Sequence, residues 1–269
     1  MKNMLWGLGA AALVISAVAA QNPPAAEQDK AAVRQAAYDY GEGFYEGSAE
    51  RMERAVHPAI IKRGVVSRPG IGSILTPMNA ETLVELARQG TEKNRPADQR
   101  NISFALLDLR DNVASAKIFT VGFNDYLHLV KQDGRWRLVH VLWQPPVPTG
   151  AANAEADKTA VAQVLRDYFD GVAAGDAARV ERLIHPEVAL RSFGPNPQTG
   201  KFFLREGNRE TMVAQVRLKA VQPPQNPAVT VLDVYDSIAS VLVTTATGTS
   251  YWHLAKQNDQ WRIVNRLNR

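Results

Sequence analysis

The chain contains the same local sequence twice, and this repetition limits the folds that it can adopt. Residues 126–136 read YLHLVKQDGRW, and residues 251–261 read YWHLAKQNDQW, 125 positions later. Residues 29–58 also match residues 157–186 without a gap, at a spacing of 128, and both stretches end in His-Pro. Two matches in the same order indicate an internal duplication. Each copy is long enough to form a compact domain of its own.

The sequence predicts five segments. Residues 1–20 contain an early lysine, an apolar stretch and small residues before Ala20, which is the pattern of a secretory signal peptide. The segments are a signal peptide (1–20), a linker (21–28), domain 1 (29–143), a Pro/Ala-rich linker (144–156) and domain 2 (157–269). We therefore expect a periplasmic or secreted protein with no membrane attachment after cleavage. An uncleaved membrane anchor is the alternative.

Composition and motifs exclude several classes of site. The chain has no cysteine, so it can form neither a disulfide nor a lipid-modified cysteine anchor. Lys and Arg exceed Asp and Glu by 2 in residues 29–146 and by 3 in residues 157–269, so charge is mixed and no nucleic-acid partner is expected. The sequence has no His-x-x-x-His pair, Gly-rich phosphate loop or serine nucleophile elbow. We expect no metal and no cofactor.

Each copy reads as helices followed by strands. Apolar residues at helical spacing, with Tyr40 in one copy and Tyr168 in the other, predict a first helix that ends at Gly47 or Gly175. Ser48 or Asp176 begins a second helix, and Asn79 or Asn208 a third. A strand lies between these two helices, and three β-rich runs close each copy: 101–110, 113–131 and 135–143, then 228–235, 238–256 and 261–268. This order predicts an α+β fold with helices on one face of a curved, mostly antiparallel sheet.

These features resemble a known fold family. A tyrosine-bearing helix that ends in Gly-Ser or Gly-Asp, a second helix that ends in His-Pro, and long strands that close on DGRWRLV look like the NTF2-like (SnoaL-like) fold. More narrowly, residues 40–66, 80–90 and 125–143 resemble the Putative lumazine-binding family. The resemblance implies two cone-shaped domains and a heterocyclic ligand. In the ketosteroid-isomerase branch of this fold a tyrosine at the place of Tyr40 donates to an oxyanion, but the branch's carboxylate base would fall at Gly64 or Ser192, so that chemistry is absent.

A hairpin register assigns side chains to faces. A two-residue turn at Asp133-Gly134 would put Asp125, Trp136 and His140 on the helix-covered, more apolar side. The other side carries Tyr126 and His128, which recur as Tyr251 and His253, and we expect the two domains to dock there as an intramolecular pseudo-dimer. The alternative is a solvated outer face.

The candidate ligand-binding residues follow from this register. We expect a cavity on the order of 300 Å³ or more. The nine candidates are Tyr40, Arg63, Asp125, Trp136, His140, Tyr168, Arg191, Trp252 and Trp261. If the protein is an enzyme, Asp125 and His140 would form its acid–base pair, which domain 2 lacks because Ser250 and Asn265 replace them. The alternative for this pair is a polar contact that steadies the strand.

Three functions therefore remain open. The first is an exported module that binds a small apolar or aromatic molecule without catalysis. The second is a SnoaL-like enzyme, an isomerase, cyclase or hydrolase, active in domain 1 only. The third is a structural or protein-interaction module whose cones are filled by their own side chains.

Overall fold

The computed structural model of the chain describes residues 25–68, 70–148 and 154–269. The expected signal peptide, the residues just after it and part of the second linker lie outside these ranges, so the export prediction stays a prediction. Within the described residues, no helix is both long enough and apolar enough to cross a membrane.

The described residues form two α+β domains with the same order of elements. The first contains the helices α1 (Ala25–Glu46), α2 (Ala49–Ala55) and α3 (Ala80–Gln89) and the strands β1 (Val56–Arg68), β2 (Gly72–Met78), β3 (Ser103–Arg110), β4 (Val113–Phe119), β5 (Asn124–Gln132) and β6 (Arg135–Gln144). The second contains α4 (Ala154–Ala174), α5 (Ala177–Leu183), α6 (Arg209–Arg217), β7 (Ile184–Pro195), β8 (Phe202–Gly207), β9 (Ala228–Tyr235), β10 (Ile238–Thr245), β11 (Gly248–Gln257) and β12 (Gln260–Asn268). The predicted fold class is confirmed.

Each domain has one six-stranded sheet. The strand orders are β2-β1-β6-β5-β4-β3 and β8-β7-β12-β11-β10-β9. The first strand of each domain pairs in parallel with the last, β1 with β6 and β7 with β12, and the other described neighbours are antiparallel. The sheets are therefore mostly antiparallel, as expected.

The predicted helix boundaries are present. Gly47 and Gly175 both have φ of 72°, in the left-handed region where a glycine is favoured. Ser48 accepts a hydrogen bond from the Arg51 amide at 3.3 Å, and Asp176 accepts one from the Arg179 amide at 2.9 Å. These caps satisfy amides that lack a partner in the first turn of a helix.

The strand predictions were wrong in two respects. The run 113–131 is two strands, because the Thr120 hydroxyl accepts from the amides of Gly122 and Phe123 and turns the chain. The run 238–256 is likewise divided, into β10 and β11. The edge strands β2 and β8 were missed; β2 has a mixed sequence that includes Pro77, which is typical of an edge strand.

The helices of each domain cover one face of its sheet. In the first domain, Tyr40 and Met52 of the helices pack with Leu127 and Leu138 of β5 and β6. In the second domain, Tyr168 and Met212 belong to the equivalent cluster with Trp252. Both cores therefore lie between the helices and one side of a sheet.

The uncovered sides of the two sheets contact each other. Val130 and Val139 of the first sheet share an apolar cluster with Tyr251 and Leu267 of the second. Polar contacts repeat across the interface at the spacing of the duplication. Ser115 and Ser240 hydroxyls are 2.9 Å apart, Tyr126 donates to Asp233 at 2.9 Å, and Tyr251 donates to Asp108 at 2.7 Å. The contacts between the domains are thus related by an approximate two-fold symmetry.

Candidate functional site

The first domain contains a cavity of about 230 Å³ between its helices and its sheet. It is smaller than we expected from the sequence. Its lining is almost entirely apolar: Tyr40, Phe44, Met52, Lys62, Met78, Leu83, Leu86, Thr91, Phe123 and Trp143. We call this space the first cavity, and Lys62 is the one charged residue that lines it among the residues described.

Three polar groups meet at the first cavity. Lys62 of β1 donates a hydrogen bond to the Tyr40 hydroxyl, and its ammonium lies 2.9 Å from Oδ2 of Asp125. Tyr40 donates to the same carboxylate oxygen at 2.6 Å. Asp125 is fully buried, and the Lys62 side chain is 8% exposed. We call these three residues the Lys62 cluster.

Aromatic rings surround the Lys62 ammonium. Its nitrogen lies 5.1 Å from the ring centres of Tyr40 and Phe123 and 5.0 Å from that of Trp143. A cation over the face of an aromatic ring is attracted by the electron density of that face. The rings and Asp125 together offset part of the cost of burying the ammonium.

Burial and charge shift the proton affinities of the cluster. Burial lowers the pKa of Lys62, and Asp125 opposes this shift. Burial raises the pKa of Asp125, against the ammonium and the Tyr40 hydroxyl. Burial and the adjacent carboxylate raise the pKa of Tyr40 well above its usual value. The pKa values of Lys62 and Asp125 therefore move toward one another.

The predicted pairing of Asp125 with His140 is wrong. The turn is as predicted, with φ of 50° at Asp133 and 75° at Gly134, and Leu129 pairs with Leu138. A β-bulge follows, however, and the next pair is His128 with His140. The extra residue moves His140 to the opposite side of the sheet from Asp125.

His140 lies instead between the two domains. Its Nδ1 is 3.2 Å from Nδ1 of His128, whose ring stacks on that of His253 with the ring centres 3.5 Å apart. Asn265, the counterpart of His140, contacts Nδ1 of His253 at 3.1 Å. These four residues, which we call the histidine cluster, are fully buried.

Arg63 and Arg191 also lie at the domain interface, and neither residue lines the first cavity or the corresponding space in the second domain. The Arg63 guanidinium donates to the Asn265 side chain at 2.8 Å and to the Glu187 carbonyl. Arg191 donates to the Val139 carbonyl at 2.9 Å and forms an ion pair with Glu206. The expectation that these arginines meet a ligand is therefore not supported, because contacts between the domains occupy both guanidinium groups.

Trp136 and Trp261 likewise belong to the packing around the first helix of each domain. The indole nitrogen of Trp136 donates to Asp29 at 2.9 Å, and that of Trp261 donates to Asp157 at 3.2 Å. The neighbouring lysines, Lys131 and Lys256, pair with the same two carboxylates. Trp136 does not line the first cavity, and Trp261 does not line the corresponding space in the second domain.

The second domain has a cavity of its own. It also measures about 230 Å³, and its lining includes the predicted residues Tyr168 and Trp252. We call it the second cavity. It lies on the helix-covered face of the second sheet, as the first cavity does on the first sheet.

The sequence analysis missed Lys62, Phe123 and Trp143. A signal for Lys62 was available, because it lies two residues after the apolar Ile60 in β1 and should therefore share the face of Ile60. A lysine in a strand is usually solvated, so this signal is weak without the structure. No group of three or more His, Asp or Glu side chains in the described part of the chain could hold a metal ion.

Comparison with known proteins identifies the family. The sequence model of a family described as "Putative lumazine-binding" matches residues 28–144 and residues 156–268. The chain therefore belongs to this family and contains its domain twice. No curated protein matches the chain.

Solved structures similar to one domain include proteins described as NTF2-like. One is an NTF2-like protein of unknown function from Shewanella baltica, 16% identical, with a TM-score of 0.34 over 44% of this chain and 96% of that chain. A second, from Silicibacter pomeroyi, is 16% identical, with a TM-score of 0.37 over 46% of this chain and 100% of that chain. A third, described as a putative scytalone dehydratase from Novosphingobium aromaticivorans, is 14% identical, with a TM-score of 0.31 over 43% of this chain and 84% of that chain.

Proposed function

We propose that this tandem member of the Putative lumazine-binding family binds a small, neutral, mainly aromatic molecule in its first cavity. The observation that carries the proposal is the Lys62 cluster at the edge of an otherwise apolar space. Binding sites for small molecules commonly combine apolar walls with a few polar groups that orient the ligand.

The charges of the cluster favour a neutral ligand. The positive charge of Lys62 is already balanced by Asp125 at 2.9 Å, so an anionic ligand would compete with a buried carboxylate. An ammonium has three N–H donors, and two of them point to Tyr40 and Asp125. The third donor suits a carbonyl oxygen or a ring nitrogen of a heterocycle. The description of the family, which names lumazine, agrees with this class of ligand.

Lumazine itself is a suitable probe for the full-length chain. Leu83→Trp places an indole in the first cavity, whereas Met212→Trp, at the matched position of α6, fills the second. We expect calorimetric titration with lumazine to give saturable binding to the wild type and to Met212→Trp, and none to Leu83→Trp. Thermal unfolding of both variants checks that each is folded.

Native mass spectrometry of the protein from its own source extends the test to other ligands. We expect a bound mass in the wild type that is lost in Leu83→Trp. If no mass is bound and lumazine does not titrate, the first cavity is not a binding site for this class of molecule.

Proton-transfer catalysis in the first domain is the second candidate function. It is favoured by the contact of a buried amine of lowered pKa with the Tyr40 hydroxyl, both of which line the first cavity. An amine of this kind can accept a proton from a carbon acid, and a guanidinium cannot. If the protein is an enzyme, Lys62→Arg should abolish its turnover. If the protein only binds a ligand, no turnover should be detected in the wild type.

A further inference from the structure

The second cavity differs from the first in the position and balance of its charge. Leu190 stands at the place of Lys62 and Ser250 at the place of Asp125, so the buried ion pair of the first domain is absent. The second domain has a cation on the neighbouring strand instead. Arg266 of β12 occupies the position that Val141 has in β6. Arg266 is the residue that pairs with Leu190 across the two strands.

Arg266 lines the second cavity without a counter-ion. Its guanidinium lies over the ring of Trp252, 5.6 Å from the ring centre. Its Nε is buried and has no hydrogen-bond partner, and no carboxylate in the described residues forms an ion pair with it. The Tyr168 hydroxyl interacts with the guanidinium, but that contact supplies no negative charge at neutral pH. A partly buried cation in this state lacks the partner that such groups usually have.

The rest of the lining adds aromatic surface and no Asp or Glu side chain. Tyr168, Phe169 and Trp252 supply the rings, and neither Asp nor Glu occurs among the residues that line the cavity. Arg269 also lines it and is paired with Asp111 of the first domain. Trp252 donates to the Ser250 hydroxyl at 2.7 Å, so the proton of that hydroxyl is available to an acceptor.

We infer that the second cavity binds a small organic anion with an aromatic body, such as an aromatic carboxylate. The guanidinium of Arg266 matches a carboxylate with two parallel hydrogen bonds, and the rings beside it contact the aromatic part. Binding would supply the missing counter-ion of Arg266. The two domains would then hold ligands of different charge, a neutral one beside Lys62 and Asp125 and an anionic one beside Arg266.

Two probes of the same shape test this inference on the full-length chain. 1-Naphthoate is an anion, and 1-naphthamide is its neutral counterpart. We expect calorimetry to show that 1-naphthoate binds about tenfold to a hundredfold more tightly than 1-naphthamide, the range of a charge-assisted hydrogen-bond pair. Arg266→Gln should remove this preference, and Arg266→Lys should retain part of it because it keeps the charge but not the planar donors.

Blocking each cavity separates this inference from the proposed function. Met212→Trp should abolish 1-naphthoate binding, whereas Leu83→Trp, which blocks the first cavity, should leave it unchanged. Lumazine binding should respond in the opposite way. Equal affinities for the two naphthalene probes, or undiminished 1-naphthoate binding in a folded Arg266→Gln or Met212→Trp variant, would overturn the inference. If Arg266→Gln does not fold, the probe comparison and Met212→Trp decide.

Discussion

Lys62 and Asp125 show how one pair of residues sets the character of a buried site. Their ion pair is nearly excluded from solvent, with side-chain exposures of 8% and 0%. Removing one partner from such a pair leaves an uncompensated charge, while replacing both by uncharged residues is often tolerated. The second domain illustrates the replacement, because it carries Leu190 and Ser250 at these positions.

A double-mutant cycle based on the second domain measures this coupling. Lys62→Leu and Asp125→Ser should each destabilise the first domain by about 3 to 5 kcal/mol, because each leaves a buried charge without its partner. The double variant should cost less than the sum of the single changes. Urea unfolding of the full-length chain provides the free energies, and strictly additive losses would show that the two side chains do not form a stabilising pair.

At the level of elements, the close packing of β1 on β6 determines the wall of the first cavity. Gly64 of β1 pairs with Trp143 of β6, and a Cβ at Gly64 would overlap the Trp143 indole, with Cζ2 only 2.8 Å away. The missing side chain therefore makes room for the ring that lies beside the Lys62 ammonium. The matched position in the second domain is Ser192, which pairs with Asn268.

Gly64→Ala should displace Trp143 and close part of the first cavity. We expect a loss of about 1 to 3 kcal/mol in the free energy of unfolding, the usual cost of overpacking, together with weaker lumazine binding. Ser192→Ala is the control and should leave both quantities unchanged, because it removes an atom instead of adding one. A Gly64→Ala variant with unaltered stability and unaltered binding would contradict this role for the glycine.

At the scale of the whole molecule, the histidine cluster should make the stability of the folded chain depend on pH. Burial lowers the pKa of His128 and His140 well below the usual value, and it lowers that of His253 to about 3. The neighbouring cations Arg191 and Arg63 lower the pKa of His140 further. Burial also lowers the pKa of His57 and His185, which are less buried. The folded chain therefore holds the clustered imidazoles neutral at pH values at which free histidine is protonated.

We expect the free energy of unfolding to fall as the pH drops below about 6.5, the usual pKa of histidine in an unfolded chain. Below this value the unfolded chain binds protons that the folded chain does not bind, and each such histidine removes about 1.4 kcal/mol per pH unit. Above it neither state binds these protons, so their contribution stays constant. Urea unfolding between about pH 5 and pH 7 measures the slope.

His140→Asn is the matched variant, since the second domain has Asn265 at this position. It should reduce the histidine-cluster part of the slope by about a third, because one of three buried imidazoles is removed. Asn265→His should steepen it. A slope that neither substitution changes would show that the imidazoles between the sheets do not control the pH dependence.

The sequence alone determined the features that depend on short stretches of chain. The helix caps, the Asp133-Gly134 turn and the α+β order follow from residues close together in the chain, where backbone preferences act. The duplication follows from comparing stretches of the sequence with one another. Tyr40 and Tyr168 were placed on the apolar stripes of the first helices, and Asp125 and Trp252 on the helix-covered faces of the sheets, for the same reason, since helical and strand periodicities are local. Tyr40 lines the first cavity and Tyr168 and Trp252 line the second, whereas Asp125 contacts Tyr40 and Lys62 without lining the first cavity. A role of these four residues in ligand binding stays a prediction.

Only the tertiary structure decided on which face of the sheet the side chains lie after the β-bulge in β6. In a strand, side chains alternate between faces, so the single extra residue of the β6 bulge moved His140 from the helix-covered side to the domain interface. No local pattern marks that bulge. It places Val139 and His140 against the second domain, where Arg191, 52 positions further along the chain, donates to the Val139 carbonyl. The burial of Lys62 was likewise decided by a distant partner. A buried lysine is stabilised where a carboxylate such as Asp125 pairs with it, and local sequence does not show that contact.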